Sequence, residues 1–458
     1  MKTKNIVTVL LVAVILTSCA PAAKVVPTET AVSTSTFTPA PPTITPTFVP
    51  ENIADAKDLS VWVSDFVHAY DNKVTVNGIE MDATHLTDEI RKTGDKFIQV
   101  KKVKGIEFSF LVVNNVPLAI RSNNENWREI LIKDLTEKFP TEFSIGISYD
   151  GREKDLAEKG EFSIVVAGPF IFTEKENPIG LDLLSELETL TKNNNLVYYG
   201  PHLYYHWLFS KDQNPKLAYL NSADKVTIEN WMILRAKDLF TLAPNIKIIN
   251  VSNEPIYEDS GAIGWENSPM YKAFGKDWLK KAWQIAYQES NNANIHDIVF
   301  VFNDYNNEWE NLKSQYYRNF GKEFKQELEL QNINLTTPFA IGMQFHVRTG
   351  AQDKISWWGP HIDQIKYETL LQHFESFKGI APIYITEFSV KGENDVDVPV
   401  DQQIEVVNTV VQAALDSNNV RAFIFWEPLN HPFLFDPSTG KRLMPYYALV
   451  KTLYEYVP

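Results

Sequence analysis

Apolar residues follow two rhythms along this chain, and the change between them comes near Trp127. Before it, the apolar stretches are short: Val61-Trp62-Val63, Phe97-Ile98-Gln99-Val100 and the run from Phe108 to Val113, with Asn77-Gly78 as a turn signal between two of them. Short runs bounded by turn residues predict strands. Residues 51–130 therefore read as a small β-rich or α+β accessory region, in which no chemical motif is found. Beyond Trp127, buried-strand runs at residues 143–148, 162–167, 196–204, 246–252, 298–303, 339–345, 382–386 and 422–426 alternate with longer amphipathic stretches at 181–191, 225–240, 271–289, 312–330, 362–377 and 402–415. That alternation predicts βα units and a parallel sheet. Eight such strands within residues 131–458 suit an α/β fold of the (β/α)8 TIM-barrel type, which takes about 250 residues and more with insertions. A doubly wound open sheet is the alternative, but it usually carries a Gly-rich phosphate turn, and the chain has neither GxGxxG nor a P-loop.

The first 50 residues obey neither rhythm. Lys2 and Lys4 precede an apolar run from Ile6 to Leu16, too short for the roughly 20 residues of a membrane span but suited to a signal peptide. It ends in Leu16-Thr17-Ser18-Cys19, which resembles the bacterial lipobox. The resemblance implies that residues 1–19 are a lipoprotein signal, with Cys19 acylated as the mature N-terminus; a soluble export signal with an incidental Cys is the plainer alternative. Residues 20–50 carry Pro21, Pro27, Pro39, Pro41, Pro42, Pro46 and Pro50 among many Thr and Ser. Such a segment favours extended conformations and reads as a disordered stalk. The expected location is outside the cell, lipid-anchored at a bacterial surface or extracellular, with the lipid as the sole membrane attachment.

Charge and cysteine content remove several functions. A net charge of −15 lacks the basic footprint of a nucleic-acid binder. A single Cys forms no intramolecular disulfide and no Cys-cluster metal site. At 44% hydrophobic and 12% aromatic residues, the chain has ample material for a core.

A barrel places its chemistry at the C-terminal ends of its strands. The fourth run ends in Asn253-Glu254-Pro255 and the seventh in Glu387-Phe388. The fifth ends in Asn303-Asp304-Tyr305-Asn306, the sixth in Gln344-Phe345-His346, and the eighth at Trp426, while Tyr205, His206 and Trp207 follow the third. Two carboxylic residues facing one another across a barrel mouth suit glycoside cleavage, in which one protonates the leaving oxygen and the other attacks the anomeric carbon. His202 and His206 have a zinc-helix spacing but lack the Glu of HExxH and lie in a strand. No GxSxG marks a serine nucleophile.

From about Asp134 to Pro458 these segments resemble glycoside hydrolase family 10, the endo-β-1,4-xylanases. Val251-Ser252-Asn253-Glu254 is similar to the family's acid/base strand, Phe302-Asn303-Asp304-Tyr305-Asn306 to its NDYN segment, and Ile341-Gly342-Met343-Gln344-Phe345-His346 to its GIGMQxH. Ile385-Thr386-Glu387-Phe388 resembles the nucleophile strand, Phe425-Trp426 the last strand, and Phe433-Leu434-Phe435-Asp436 with Pro445 and Tyr446 the closing segment. The resemblance implies Glu254 as general acid/base, Glu387 as nucleophile, Asn253 on the sugar 2-hydroxyl, His346 orienting Glu387, and His206, Tyr205, Asn303, Gln344 and Trp426 lining the cleft. It implies no cofactor and no metal, a monomer, and a β-1,4-linked plant polysaccharide, xylan first, as the partner. Some positions depart. The family's GHTLVWH reads here Gly200-Pro201-His202-Leu203-Tyr204-Tyr205-His206, with Pro201 for His and Tyr205 for Trp. The second-strand Glu-Asn and Lys have no counterpart, Glu427 replaces Gly, and a Trp-bearing loop near the end is missing. These losses fall on the glycone side, so hydrolysis of β-glucan or mannan, or binding without turnover, stay open.

Overall fold

The computed structural model describes residues 51–458 apart from 123–124, 140–141, 168–180, 210–216, 260–261, 334–337, 350–358, 393–397, 427 and 430–432. Cys19, with the expected signal segment and stalk, lies outside the described residues.

Eight parallel strands close on themselves in chain order: Ser144–Tyr149, Ile164–Ala167, Val197–Tyr205, Ile246–Asn253, Val299–Asp304, Ala340–Met343, Ile383–Lys391 and Val420–Phe425. The eighth pairs with the first, which closes the (β/α)8 barrel. Each predicted run is one of these strands. The seventh runs past the expected Thr386 to Lys391, because His346–Arg348 pairs with its second half. Glu387 therefore lies within a strand rather than after one.

Side chains alternate between two faces of a strand. Ile164, Val166, Tyr199, Ile248, Val301, Ala340, Tyr384, Ala422 and Ile424 point inward and fill the barrel, as layered side chains fill barrels of this kind. The outward residues pack beneath the helices. Helix Lys225–Leu242 starts where Asp224 accepts from the Thr227 N–H at 2.8 Å, and Leu312–Leu330 where Asn311 accepts from the Ser314 N–H at 2.8 Å. The stretch expected as one helix over 271–289 is two, Pro269–Phe274 and Trp278–Asn292. The first ends at Gly275, whose φ of +60° only glycine adopts easily. Likewise 362–377 divides into the turn Ile362–Gln364 and helix Tyr367–Glu375.

The accessory region is α+β. Val61-Trp62-Val63 is helical, not a strand, within Leu59–Ala69. Leu59, Trp62, Val63, Phe66 and Val67 are its buried residues, a helical period that a three-residue window hides. Asn77 and Gly78, at φ of +52° and +80°, turn the hairpin between Val74–Val76 and Ile79–Met81. Helix Ala83–Thr93 follows, then a four-stranded antiparallel sheet of Ile98–Val103, Ile106–Val113, Val116–Ser122 and Arg128–Glu129.

This sheet is seated on the barrel's last helix, Met444–Glu455. Phe110 meets Tyr454 edge-on with centroids 5.0 Å apart, Phe66 meets Tyr447 at 5.3 Å, and the Tyr454 hydroxyl donates to Gln99 at 3.0 Å. Residues 49–458 accordingly form one compact unit. Phe110 is fully buried, so Phe110→Ala is expected to lower unfolding stability by about 3–5 kcal/mol. Chemical denaturation checks this, with the barrel and accessory region unfolding in one transition.

Candidate active site

Glu254 and Glu387 are gathered at the same end of the barrel, both more than nine-tenths buried. Glu254 follows the fourth strand with φ of +48°, a left-handed backbone that costs a residue with a Cβ about 1–3 kcal/mol. Its N–H donates to the Asn303 carbonyl at 3.0 Å, which holds the turn. The side chain is gripped at both oxygens: the Tyr205 hydroxyl donates to Oε2 at 2.9 Å and Gln344 Nε2 to Oε1 at 2.8 Å.

Burial pushes Glu254 up to about 7. The Gln344 and Tyr205 hydrogen bonds oppose the rise, while the negative charges of Glu387 and Asp304 add to it. The chemistry alone leads one to expect Glu387's charge first, reinforced by burial; in the structure loss of water comes first. A carboxylate in an apolar pocket loses its hydration outright, whereas Glu387's charge is already engaged by its own donors.

Glu387 goes the other way. Burial alone would raise it, but the His346 hydrogen bond and charge, with His202 and Asn303, outweigh burial and hold the carboxyl below its ordinary value. Asn303 Nδ2 donates to Glu387 Oε1 at 2.8 Å, and His346 Nε2 stands 3.4 Å from Oε2. The other His346 nitrogen is 2.7 Å from Ser389 Oγ, which fixes the ring. His346→Ala removes a partner of the charged form, so Glu387 should titrate higher. The acid limb of kcat/KM is expected to move up by about one pH unit, read from the pH profile.

Asn303 is the hub between the carboxyls. Its Nδ2 also donates to Asn253 Oδ1 at 2.6 Å, and its Oδ1 accepts from Thr386 Oγ1 at 2.5 Å. A Cβ on Gly342 would come within 2.5 Å of Asn303 Oδ1, so that glycine makes the room. Strand register sets the row: Tyr205, Asn253 and Asn303 are aligned partners on the third, fourth and fifth strands.

The remaining expected residues are less central. His206 Nε2 lies 4.0 Å from Glu266, and burial pushes His206 down to about 4, leaving it neutral at neutral pH. His202 is buried beside Asn250, with Nδ1 2.8 Å from the amide nitrogen, and is likewise pushed down to about 4. Tyr205 is buried, with ring edges against His202 and His206, and its hydroxyl is given to Glu254 rather than its face to the cleft. Trp426 is half-buried just past the eighth strand, its N–H donating to the Phe388 carbonyl at 2.9 Å. Glu427 and the segment after the second strand, where the sugar-binding Glu-Asn and Lys were sought, lie outside the described residues.

Three supporting groups were not foreseen. Asp304 points outward to a fully buried ion pair with Lys313 at 2.6 Å, and accepts from the Tyr317 hydroxyl at 2.7 Å. Buried Glu308 accepts from the Phe345 N–H at 2.8 Å, holding that residue at φ of +66° beside Gln344. Neither pairing has a sequence signal. Ser389 had one, since strand alternation puts it on the face of Glu387.

A closed parallel barrel with one buried carboxyl just after its fourth strand and one within its seventh, the first raised and the second lowered, defines a protein of the paired-carboxylate class. The family model described as Glycosyl hydrolase family 10 matches residues 190–432, and the chain belongs to that family. Endo-1,4-beta-xylanase B of Thermotoga neapolitana is 29% identical over 186 residues, which cover 40% of this chain and 45% of the relative, so the match spans less than half of that protein. Among solved structures, xylanase 10B from Thermotoga petrophila RKU-1 in complex with xylobiose superposes with a TM-score of 0.57 at 21% identity, over 72% of this chain and 99% of the other. Penicillium canescens endo-1,4-beta-xylanase XylE gives 0.55 at 15%, over 71% and 98%.

Proposed function

We propose that this chain hydrolyses β-1,4-linked plant polysaccharide internally and with retention, with xylan as the first substrate to test. One observation carries the proposal: two buried carboxyls share one mouth in unlike surroundings, Glu254 pushed up to about 7 by burial and Glu387 held below its ordinary value by His346 and Asn303. That split is the division of labour a glycosidase needs. Glu387, ionised, attacks the anomeric carbon while Glu254 gives its proton to the departing oxygen. The glycosyl-enzyme ester that forms cancels Glu387's charge. Glu254, now anionic, takes a proton from water as the water attacks, and Glu387 is released with the configuration retained. Asn253 holds the 2-hydroxyl, whose hydrogen bond strengthens in the transition state. His346 keeps Glu387 aimed, and Trp426 offers an apolar face to a sugar ring. Similarity to the xylanases of Thermotoga neapolitana, Thermotoga petrophila and Penicillium canescens supports xylan as substrate.

The glycone-side departures favour a second reading, the same chemistry on β-glucan or mannan, or binding alone. The domain plan, with residues 131–458 as the hydrolase and 51–130 as an accessory region of unknown function, belongs to this proposal, as do a lipid on Cys19, the stalk, the cell-surface location and a monomer. A polymer too large to enter a cell is consistent with that location.

Reducing-sugar release from soluble xylan, β-glucan and mannan tests the substrate. Release from xylan supports the first reading. Release only from another polymer keeps the mechanism and changes the substrate, and no release from folded protein leaves binding alone.

A further inference from the structure

We infer that Tyr205 is the positioning residue of the acid/base: its hydroxyl fixes the Glu254 carboxyl and joins it, through Asn253 and Asn303, to Glu387. The inference rests on the catalytic reading above and adds a role to a side chain expected only to line the cleft. It rests on a continuous line of contacts. The Tyr205 hydroxyl donates to Glu254 Oε2 at 2.9 Å and is itself hydrogen-bonded to the Asn253 side chain. Asn253 Oδ1 takes the Asn303 amide at 2.6 Å, and the same amide reaches Glu387 Oε1 at 2.8 Å. Strand register makes this row rigid, because Tyr205, Asn253 and Asn303 are neighbours across three parallel strands.

The position has a second peculiarity. The family motif carries Trp where this chain has Tyr205. A phenol carries a hydroxyl, both donor and acceptor, at the far end of its ring. The ring packs edge-on against His202 and His206, with centroids at 5.6 and 4.9 Å, which limits its tilt while its hydroxyl meets Glu254.

The groups facing Glu254 come from each neighbouring element: Tyr205 and His206 after the third strand, Asp304 and Tyr305 at the end of the fifth, neutral Gln344 after the sixth and Glu387 in the seventh. Glu387 and Asp304 raise Glu254, while Gln344 and Tyr205 oppose the rise. His206 is held neutral by burial. Removing the Tyr205 hydroxyl therefore has a definite sign: the charged form of Glu254 loses a donor and its pKa rises.

The test uses Tyr205→Phe and Tyr205→Trp in the full chain, read in two ways. The first is a carbon-13 NMR titration of the Glu254 carboxyl, assigned with Glu254→Gln, which needs no turnover. The expected result is an upward shift of about one pH unit in Tyr205→Phe, with most of it reversed in Tyr205→Trp, which restores a donor. The second is the pH profile on the responsive polymer. The alkaline limb should move up with the titration, and kcat should fall about tenfold at nearly constant KM, the worth of one hydrogen bond to a charged group. An unchanged or lowered Glu254 titration in a folded Tyr205→Phe variant overturns the assignment. If the unaltered protein turns over no polymer, the hydrolase reading fails, and the titration alone decides the Tyr205–Glu254 link.

Discussion

Replacing Glu387 by Ala is expected to lower polymer hydrolysis by about 10⁵-fold, because it removes the proposed nucleophile. Among the described side chains, Glu387 and Glu254 are the two carboxyls that Asn303, Asn253, Tyr205 and Gln344 hold in place. The alternative to a lost nucleophile is a lost fold. Glu387 sits in the middle of a buried strand, and its removal leaves Asn303 and His346 without their partner, so the variant's fold is checked by circular dichroism. A small anion such as azide fits the vacated space. Added to the variant, it should attack from the same face in a single displacement, giving a glycosyl azide of inverted configuration and partial return of turnover. A variant as active as the unaltered protein would remove Glu387 from the mechanism.

Glu254→Ala carries the second large effect, about 10²–10⁴-fold on polymer, the usual worth of a positioned general acid. The loss should depend on the leaving group. An aryl glycoside whose phenol departs without a proton should form the glycosyl-enzyme at nearly the unaltered rate, and the second step should then be slow. The pH profile gives a sharper sign. Glu254 must be protonated and Glu387 ionised, so kcat/KM should be highest between Glu387's lowered value and about 7. Above about 7 it should fall tenfold per pH unit as Glu254 loses its proton. In Glu254→Ala that alkaline limb should disappear, whereas a variant that merely disturbed packing would keep it.

Much of the barrel was legible because buried parallel strands are continuous apolar runs, and the polar residues that follow them stand out. Glu254, Asn253, Asn303, Gln344 and His346 all announce themselves at the ends of such runs. What stayed hidden depends on contacts between distant segments. Lys313 is nine residues from Asp304, across a turn and into a helix, and nothing in that spacing shows that both are fully buried against each other. Tyr205 could be placed at the mouth, but which atom its hydroxyl meets is set by a strand register that local pattern does not encode. The accessory helix was lost for a simpler reason: three apolar residues in a row suggested a strand, while the period over Leu59–Ala69 is helical. The sign of the Glu254 shift follows from chemistry alone, yet the leading role of burial required knowing how completely the carboxyl is enclosed.

A double displacement through Glu254 and Glu387 leaves its signature in the stereochemistry of the first product. Proton NMR of a short β-1,4-linked oligosaccharide, recorded within the first minutes of cleavage and before mutarotation, should show the β-anomer forming first and the α-anomer following slowly. Immediate appearance of the α-anomer would mean a single displacement by water and would contradict the account.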